Sequence, residues 1–274
     1  MNYGHGRPQL RTVWRRVLAR LPQFCCFCHR KTDTGYDLCG FCHSHLHAIV
    51  AESTLKASSS VCLRCGFVWS DTVWRAECAY CVNYRTGFDR IICPYRYDFP
   101  IDGIIQRLKY QKHFPTGRLL GSLLAREVVN QLDSQDYPDV LLPVPLHAVR
   151  YRERGFNHAA EIGYWCGRAV GIDSWPDRIE RRVNTSSLAG LTRAERALQI
   201  RGAFGVVEPH AKRLTGHAKR LTSLQGLTVA IVDDVLTTGS TAGELATELL
   251  DNGVASAQLW VVARTPATGT AGGS

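Results

Sequence analysis

No apolar run in the 274-residue sequence approaches the roughly 20 residues a helix needs to cross a bilayer. The arginine-rich N-terminal stretch holds no secretory hydrophobic segment either, because Val13-Trp14-Arg15-Arg16-Val17-Leu18 is broken by charge. A glycine fingerprint after a first strand, which a dinucleotide-binding fold requires, is also missing. These absences argue against a membrane-spanning or exported chain and against a generic dinucleotide fold. They predict a soluble, cytoplasmic protein.

Acidic charge is in short supply. Lys and Arg number 33 against 24 Asp and Glu, a formal charge of +9. Residues 1–90 hold twelve Lys/Arg and six Asp/Glu, an excess of +6 that resembles a nucleic-acid footprint. Formal counting treats thiols as neutral, however. Eight thiolates around two zinc ions contribute −8 + 4 = −4, which lowers the total from +9 to +5. A moderate basic excess then remains, compatible with a polyanionic partner and with ordinary solubility.

What is plentiful is cysteine, at eleven residues, and its spacing is regular. Cys25-x-x-Cys28 with Cys39-x-x-Cys42, and Cys62-x-x-Cys65 with Cys78-x-x-Cys81, form two couples of knuckles. Two residues between thiolates let one turn present both sulfurs to one ion, and two such turns complete a tetrahedron. Disulfides need an oxidising compartment, and four redox motifs at such even spacing would be unusual. The reading is structural zinc; tandem sites, crossed pairing and a single occupied site all remain open. Cys26, Cys93 and Cys166 are left over, and His29, His43, His45 and His47 lie near the knuckles as surface or supporting groups.

From Phe88 onward strands and helices alternate. Ile91–Tyr97 and Val140–Val144 read as strands, as do Val229–Val232 and Gln258–Val262. Ile101, Ile104, Ile105 and Leu108 share a helical face, and Leu119, Leu120, Leu123, Leu124 and Val128 mark a second helix. Asn157 can cap a helix to about Val170, a capping box at Thr192–Glu195 predicts a helix near Arg193, and Gly253 suits a left-handed helix end. The organisation predicted is a basic leader (1–22), a double zinc-ribbon module (23–84), an α/β domain (88–266) and a flexible tail (267–274). A tandem repeat, His210–Gly216 followed by His217–Ser223, reads as a tolerated surface insertion. Unbroken apolar strands imply a mostly parallel sheet covered by helices on both faces.

The most informative segment is Val229–Thr241, in which an apolar strand delivers Asp233 and Asp234 to the loop Thr237-Thr238-Gly239-Ser240-Thr241. Loop amides and hydroxyls ahead of a helix converge on an anion, and the carboxylates can accept from the hydroxyls of a ribose. A receiver-type acidic pocket is the competing reading, but receivers carry their acids near the N-terminus. The segment resembles the phosphoribosyl-pyrophosphate (PRPP) motif of type I phosphoribosyltransferases. Leu142-Pro-Val-Pro145 with Arg154-Gly-Phe-Asn157, Leu191–Arg196 leading to Arg201–Phe204, Ala263–Pro266 and Ile104–Tyr110 further resemble the ComF (competence protein F) family, over about residues 25–266.

That resemblance implies a phosphoribosyltransferase-like fold behind a zinc ribbon and a role in DNA uptake. It implies that Asp233 and Asp234 contact ribose and that Thr237, Thr238, Gly239, Ser240 and Thr241 hold the 5′-phosphate. Arg152 and Arg154, in a loop after Val144, would take the diphosphate, although an arginine-rich loop is often only a solvated surface. The implied cofactors are zinc and magnesium with PRPP. The implied partners are PRPP or a related ribose phosphate, single-stranded DNA and other competence proteins. His158 and Leu188 stand where the family usually has glutamine, and Gln199 where it has asparagine. Nothing in the sequence names an acceptor, so transferase activity with an unknown acceptor stands beside the DNA role.

Overall fold

The computed structural model describes residues 23–32, 37–46, 60–61, 68–69, 87–184, 199–207 and 223–265. The chain divides between His45 and Leu46 into two compact units. The first contains β1 (Gln23–Phe24) paired antiparallel with β2 (Lys31–Thr32), and the short helix α1 (Gly40–Ser44). The second begins, among described elements, with the antiparallel pair β3 (Ser60–Val61) and β4 (Val68–Trp69). The leader, the helix expected near Arg193, Leu188 and nearly all of the tandem repeat lie outside the described residues.

The body of the second unit is a five-stranded sheet in which every pairing is parallel. Its strands are β5 (Arg90–Ile92), β6 (Tyr95–Arg96), β7 (Val140–Pro143), β10 (Thr228–Leu236) and β11 (Ser256–Arg264). The order is β5-β11-β10-β7, with β6 alongside the far end of β11. A separate hairpin joins β8 (Ile179–Arg181) to β9 (Phe204–Val206). Parallel strands share one carboxyl edge, so the segments leaving β7 and its neighbour β10 emerge side by side.

Alternation along the strands explains the two covered faces, because successive side chains point opposite ways. Leu142, Ile231, Leu259 and Val261 join Leu245, Ala246 and Leu249 of helix α6 (Ser240–Asp251) in one apolar cluster with Phe204 of the hairpin. The intervening Leu141, Val232 and Trp260 are also fully or almost fully buried. On that side lie α3 (Phe114–Gln131) and α5 (His158–Val170), with α2 (Ile101–Gln111) packed on α3. The apolar faces predicted for α2 and α3 are the ones buried. The expected mostly parallel sheet with helices on both faces is therefore the architecture of this unit.

Boundaries differ from the sequence reading in three places, each for a local reason. The first predicted strand is two short ones, because Cys93-Pro94 interrupts the ladder and proline cannot donate to it. β10 runs four residues beyond Val232, carrying both aspartates inside the strand. The basic stretch read as a loop contains a helix, α4 (Ala148–Arg154), capped at its start by the His147 side chain and closed by Gly155. Its seven residues bury none of their side chains, so no apolar stripe announced it.

The α3–α5 contact is close enough to exclude a methyl group. A Cβ on Gly121 would lie 2.7 Å from Trp165 Cβ and 2.8 Å from the Ile162 carbonyl. Gly121→Ala is expected to force these helices apart and destabilise by about 1–3 kcal/mol, despite alanine's better helix propensity. Thermal or denaturant unfolding reads the sign, and an unchanged midpoint would show that the helices can separate freely.

Candidate functional site

Asp233 and Asp234 lie near the carboxyl end of β10, in the middle of the sheet, where open α/β sheets place their ligands. One carboxylate oxygen of each lies within 4.8 Å of the other and of a His158 ring nitrogen, yet their surroundings differ. Asp234 is buried, with its side chain 5% exposed. The Lys109 ammonium is in direct contact with Oδ2, and His158 Nε2 is 3.3 Å from Oδ1. Burial alone would raise its pKa, but the charges and hydrogen bonds of His158 and Lys109 outweigh it and hold the carboxyl well below the usual range. The Asp234 amide donates to Asp233 Oδ1 at 2.9 Å. Burial first, and the neighbouring Asp234 charge second, push Asp233 up to about 8. The pair is thus split into one firm carboxylate and one weak acid.

Further basic groups surround this pair. Arg154 on α4 places Nη1 3.1 Å from His158 Nδ1, and its guanidinium lies 5.6 Å from the ring centre of Tyr110. Arginine has no acceptor. Nδ1 therefore accepts, and the ring proton sits on Nε2, directed at Asp234. Arg181 of β8 feels the same site: burial pulls its guanidinium below the ordinary value, against the attraction of Asp233 and with the repulsion of Arg150. Arg152 is exposed on α4. Of the two arginines singled out from sequence, Arg154 is thus tied to the acid pair through His158, while Arg152 projects to solvent.

Beyond Leu236 the chain turns through Thr237–Gly239 into α6. Gly239, with φ +80°, is the residue that precedes the helix. A Cβ there would meet only Leu236 Cδ1 at 3.6 Å, so the need for glycine is conformational and not spatial. Thr238 Oγ1 and Ser240 Oγ are 3.0 Å apart. Thr237 is exposed, and Thr238, Ser240 and Thr241 are half-buried. The first amides of a 12-residue helix, with these hydroxyls, make a cradle suited to an anion beside the acid pair.

Sequence reasoning singled out the aspartates, the cradle and the arginines, but missed Lys109, Arg181 and the part played by His158. Lys109 lies within Ile104–Tyr110 and follows Leu108 on the flank of an apolar face, a place where a buried cation leaves little trace. His158 was visible only as a departure from the family pattern.

The first unit carries a second constellation. The sulfurs of Cys25, Cys28, Cys39 and Cys42 lie within 4.8 Å of one another, close enough to hold one metal ion. The Cys28 amide donates to Cys25 Sγ and the Cys42 amide to Cys39 Sγ, both at 3.5 Å, so each CxxC forms a turn with its amide on the leading sulfur. Burial opposes ionisation of Cys25, yet backbone amides beginning with that of Cys28 lower it to about 6. Cys42 is pushed up by burial and by the neighbouring thiols. A divalent cation relieves that conflict, so the donor set fits a structural metal. Cys62, Cys65, Cys78, Cys81 and His47 lie outside the described residues. Cys93 and Cys166 are buried, and burial pushes each up to about 12, as for inert core thiols.

Similar proteins are found in several bacteria. The chain is 28% identical over 233 residues to "Competence protein F" of Haemophilus influenzae, covering 82% of this chain and 96% of that protein. It is 29% identical over 223 residues to "DNA utilization protein YhgH" of Salmonella typhimurium, covering 79% and 89%. The Escherichia coli K12 protein of the same name is 25% identical over 248 residues, covering 89% and 98%. Over most of its length the chain is thus similar to proteins named for competence and DNA utilization. No protein-family model matches it. Among solved structures, a glutamine PRPP amidotransferase from B. subtilis overlays with TM-score 0.33 at 18% identity, covering 53% of this chain and 25% of that chain. TT1426 from Thermus thermophilus gives 0.31 at 14% identity, covering 57% and 86%. The chain thus spans a quarter of the amidotransferase's length, and the parallel sheet itself carries the fold assignment.

The split between the aspartates and the metal in the first unit can each be tested. Asp233 has its pKa raised from an ordinary value near ~4 to about 8. Its protonated form therefore favours the fold below about pH 4, and that contribution is lost as pH rises through 8. Asp233→Asn is expected to match the parent at pH 5 and exceed its melting temperature at pH 9. Asp234 is lowered, so its contribution is present above ~pH 4. Asp234→Asn strands Lys109 and is expected to cost about 3 kcal/mol at pH 7. Equal pH–stability curves for the two variants would contradict the split. Elemental analysis of protein purified without added metal is expected to find near two equivalents of zinc. Cys25→Ser with Cys28→Ser should remove one, and a folded, metal-free first unit would overturn a structural role.

Proposed function

We propose that this chain is a ComF-family protein that binds PRPP or a related ribose phosphate and serves DNA uptake in the cytoplasm, where it handles incoming single-stranded DNA with other competence proteins. The observation that carries this reading is the split aspartate pair, positioned beside the Thr237–Thr241 cradle and among Lys109, Arg150, Arg154, His158 and Arg181. The relatives' names, competence protein F and DNA utilization protein, support the biological half. Among the described residues no helix is long and apolar enough to cross a membrane.

In this reading Asp234, held ionised, accepts from one ribose hydroxyl, while Asp233, as a weak acid, can donate to or accept from the other. The amides opening α6 and the hydroxyls of Thr238, Ser240 and Thr241 hold the 5′-phosphate. Arg152, Arg154 and Arg181 supply forked donors for a diphosphate. Asp233 and Asp234 offer the hard oxygens magnesium takes, though Asp234 is already balanced by Lys109 and His158. Magnesium bound with PRPP would neutralise charge on the departing diphosphate. The metal in the cysteine units is zinc, and the module and the phosphoribosyltransferase-like domain occupy 23–84 and 88–266.

A second reading, favoured by the complete donor half of the site, is an active phosphoribosyltransferase with an unknown acceptor. The two separate by competition and salt. A site that serves DNA should bind PRPP competitively with single strands, with an affinity that falls steeply as salt rises. Arg152→Ala with Arg154→Ala should flatten that slope by roughly one unit per lost phosphate contact. Magnesium-dependent, salt-insensitive turnover of PRPP that ignores single-stranded DNA would reject the DNA role and support the transferase.

A further inference from the structure

A cavity of about 360 Å³ is lined by residues of the segment after β7, of α4, of the start of α5 and of the segment before β8, and neither aspartate of the acid pair lines it. Tyr151 and Phe156 supply aromatic walls, with Pro145 and Pro176 completing the apolar surface. Glu161 and Asp177 also line it, and none of the lining residues is Lys or Arg. The charged side chains on the lining itself are thus both carboxylates, in a chain whose formal charge is +9.

The polar groups around the cavity are unequally engaged. The Asn157 side chain is tied down: its oxygen accepts from the Ala159 amide and its nitrogen donates to the Val144 carbonyl, both at 3.0 Å. Glu161 Oε1 accepts from Trp165 Nε1 at 2.9 Å, which fixes the carboxylate against the next turn of α5. The first turn of α5 favours negative charge, and Glu161 itself supplies it. What is left for a ligand is the field of two carboxylates over aromatic faces, both of which attract cations.

We propose that this cavity binds a small organic cation, an amine or amidine carried on an apolar or aromatic body. Its volume is at the small end of ligand pockets, enough for one ring with a short charged substituent. The body lies between Tyr151, Phe156 and the two prolines, and the charged end meets Glu161 and Asp177. This site does not depend on the ribose-phosphate reading, and PRPP binding can fail or succeed without touching it.

The test uses the full-length protein and three ring compounds of matched size that differ in charge: benzamidine, benzyl alcohol and benzoate. Titration followed by ligand-observed NMR should rank benzamidine first, about five- to tenfold tighter than benzyl alcohol, with benzoate weakest. Glu161→Gln keeps a carbonyl acceptor for Trp165. Combined with Asp177→Asn, it should reduce benzamidine to the affinity of benzyl alcohol and leave benzyl alcohol unchanged. Tyr151→Ala, at a half-exposed position, should weaken both compounds and provides an independent reading if the double variant does not fold. Benzoate binding as well as benzamidine, a double variant that keeps the charge preference, or no benzamidine binding at ~10 mM would each overturn the proposal.

Discussion

A carboxylate buried at the end of a central strand is unstable unless hydrogen-bond donors reach it, and in this chain they come from distant parts of the sequence. Asp234 draws Lys109 from α2 and His158 from the start of α5. His158 in turn engages Arg154 at the end of α4, and Arg154 covers Tyr110, the residue after Lys109. The network therefore returns to the helix on which it began. Removing a charge from water costs several kcal/mol per ion, so these contacts are favoured only as a set. Because they converge on one carboxyl group, α2, α4 and α5 are located relative to the carboxyl edge of the sheet by electrostatics as well as by apolar packing.

The same constraint makes two adjacent aspartates unlike each other. Two carboxylates at neighbouring positions cannot both ionise cheaply in a dry environment. Lys109 and His158 decide which one does, since both contact Asp234. Asp233 then retains its proton to about 8 and is left with one strong interaction inside the pair, the amide of Asp234. A polyol meeting this site finds one fixed acceptor and one group able to act in either sense. Identical carboxylates would not offer that combination.

Much of the fold was legible because it rests on periodicity. The apolar faces of α2 and α3, the Asn157 cap and the turn at Gly253, where φ is +88°, follow from residue spacing. The acid pair and the cradle were legible for a different reason: strand, acids and Thr/Gly/Ser turn lie within thirteen consecutive residues. Their positive partners were not, because Lys109 is 125 positions from Asp234 and no local pattern links them. The helix carrying Arg152 and Arg154 was hidden by its composition, since a helix that buries no side chain has no hydrophobic stripe. The first cysteine couple was readable from spacing, which is the feature that its knuckle geometry requires.

His158 shows how a departure from a family pattern can preserve the chemistry. Glutamine, which the resemblance led one to expect here, presents one amide donor and one carbonyl acceptor at the end of a flexible chain. The imidazole bonded as observed presents the same two functions. Nδ1 accepts from Arg154 at 3.1 Å, and Nε2 carries its proton toward Asp234 at 3.3 Å. Either residue can therefore sit between an arginine and a carboxylate, accepting from one and donating to the other. The exchange differs in stiffness. The ring fixes the two functions at opposite ends of a rigid body, with Nδ1 facing the guanidinium as an acceptor. Arg154 thereby selects the tautomer, and the tautomer directs the proton that Asp234 receives.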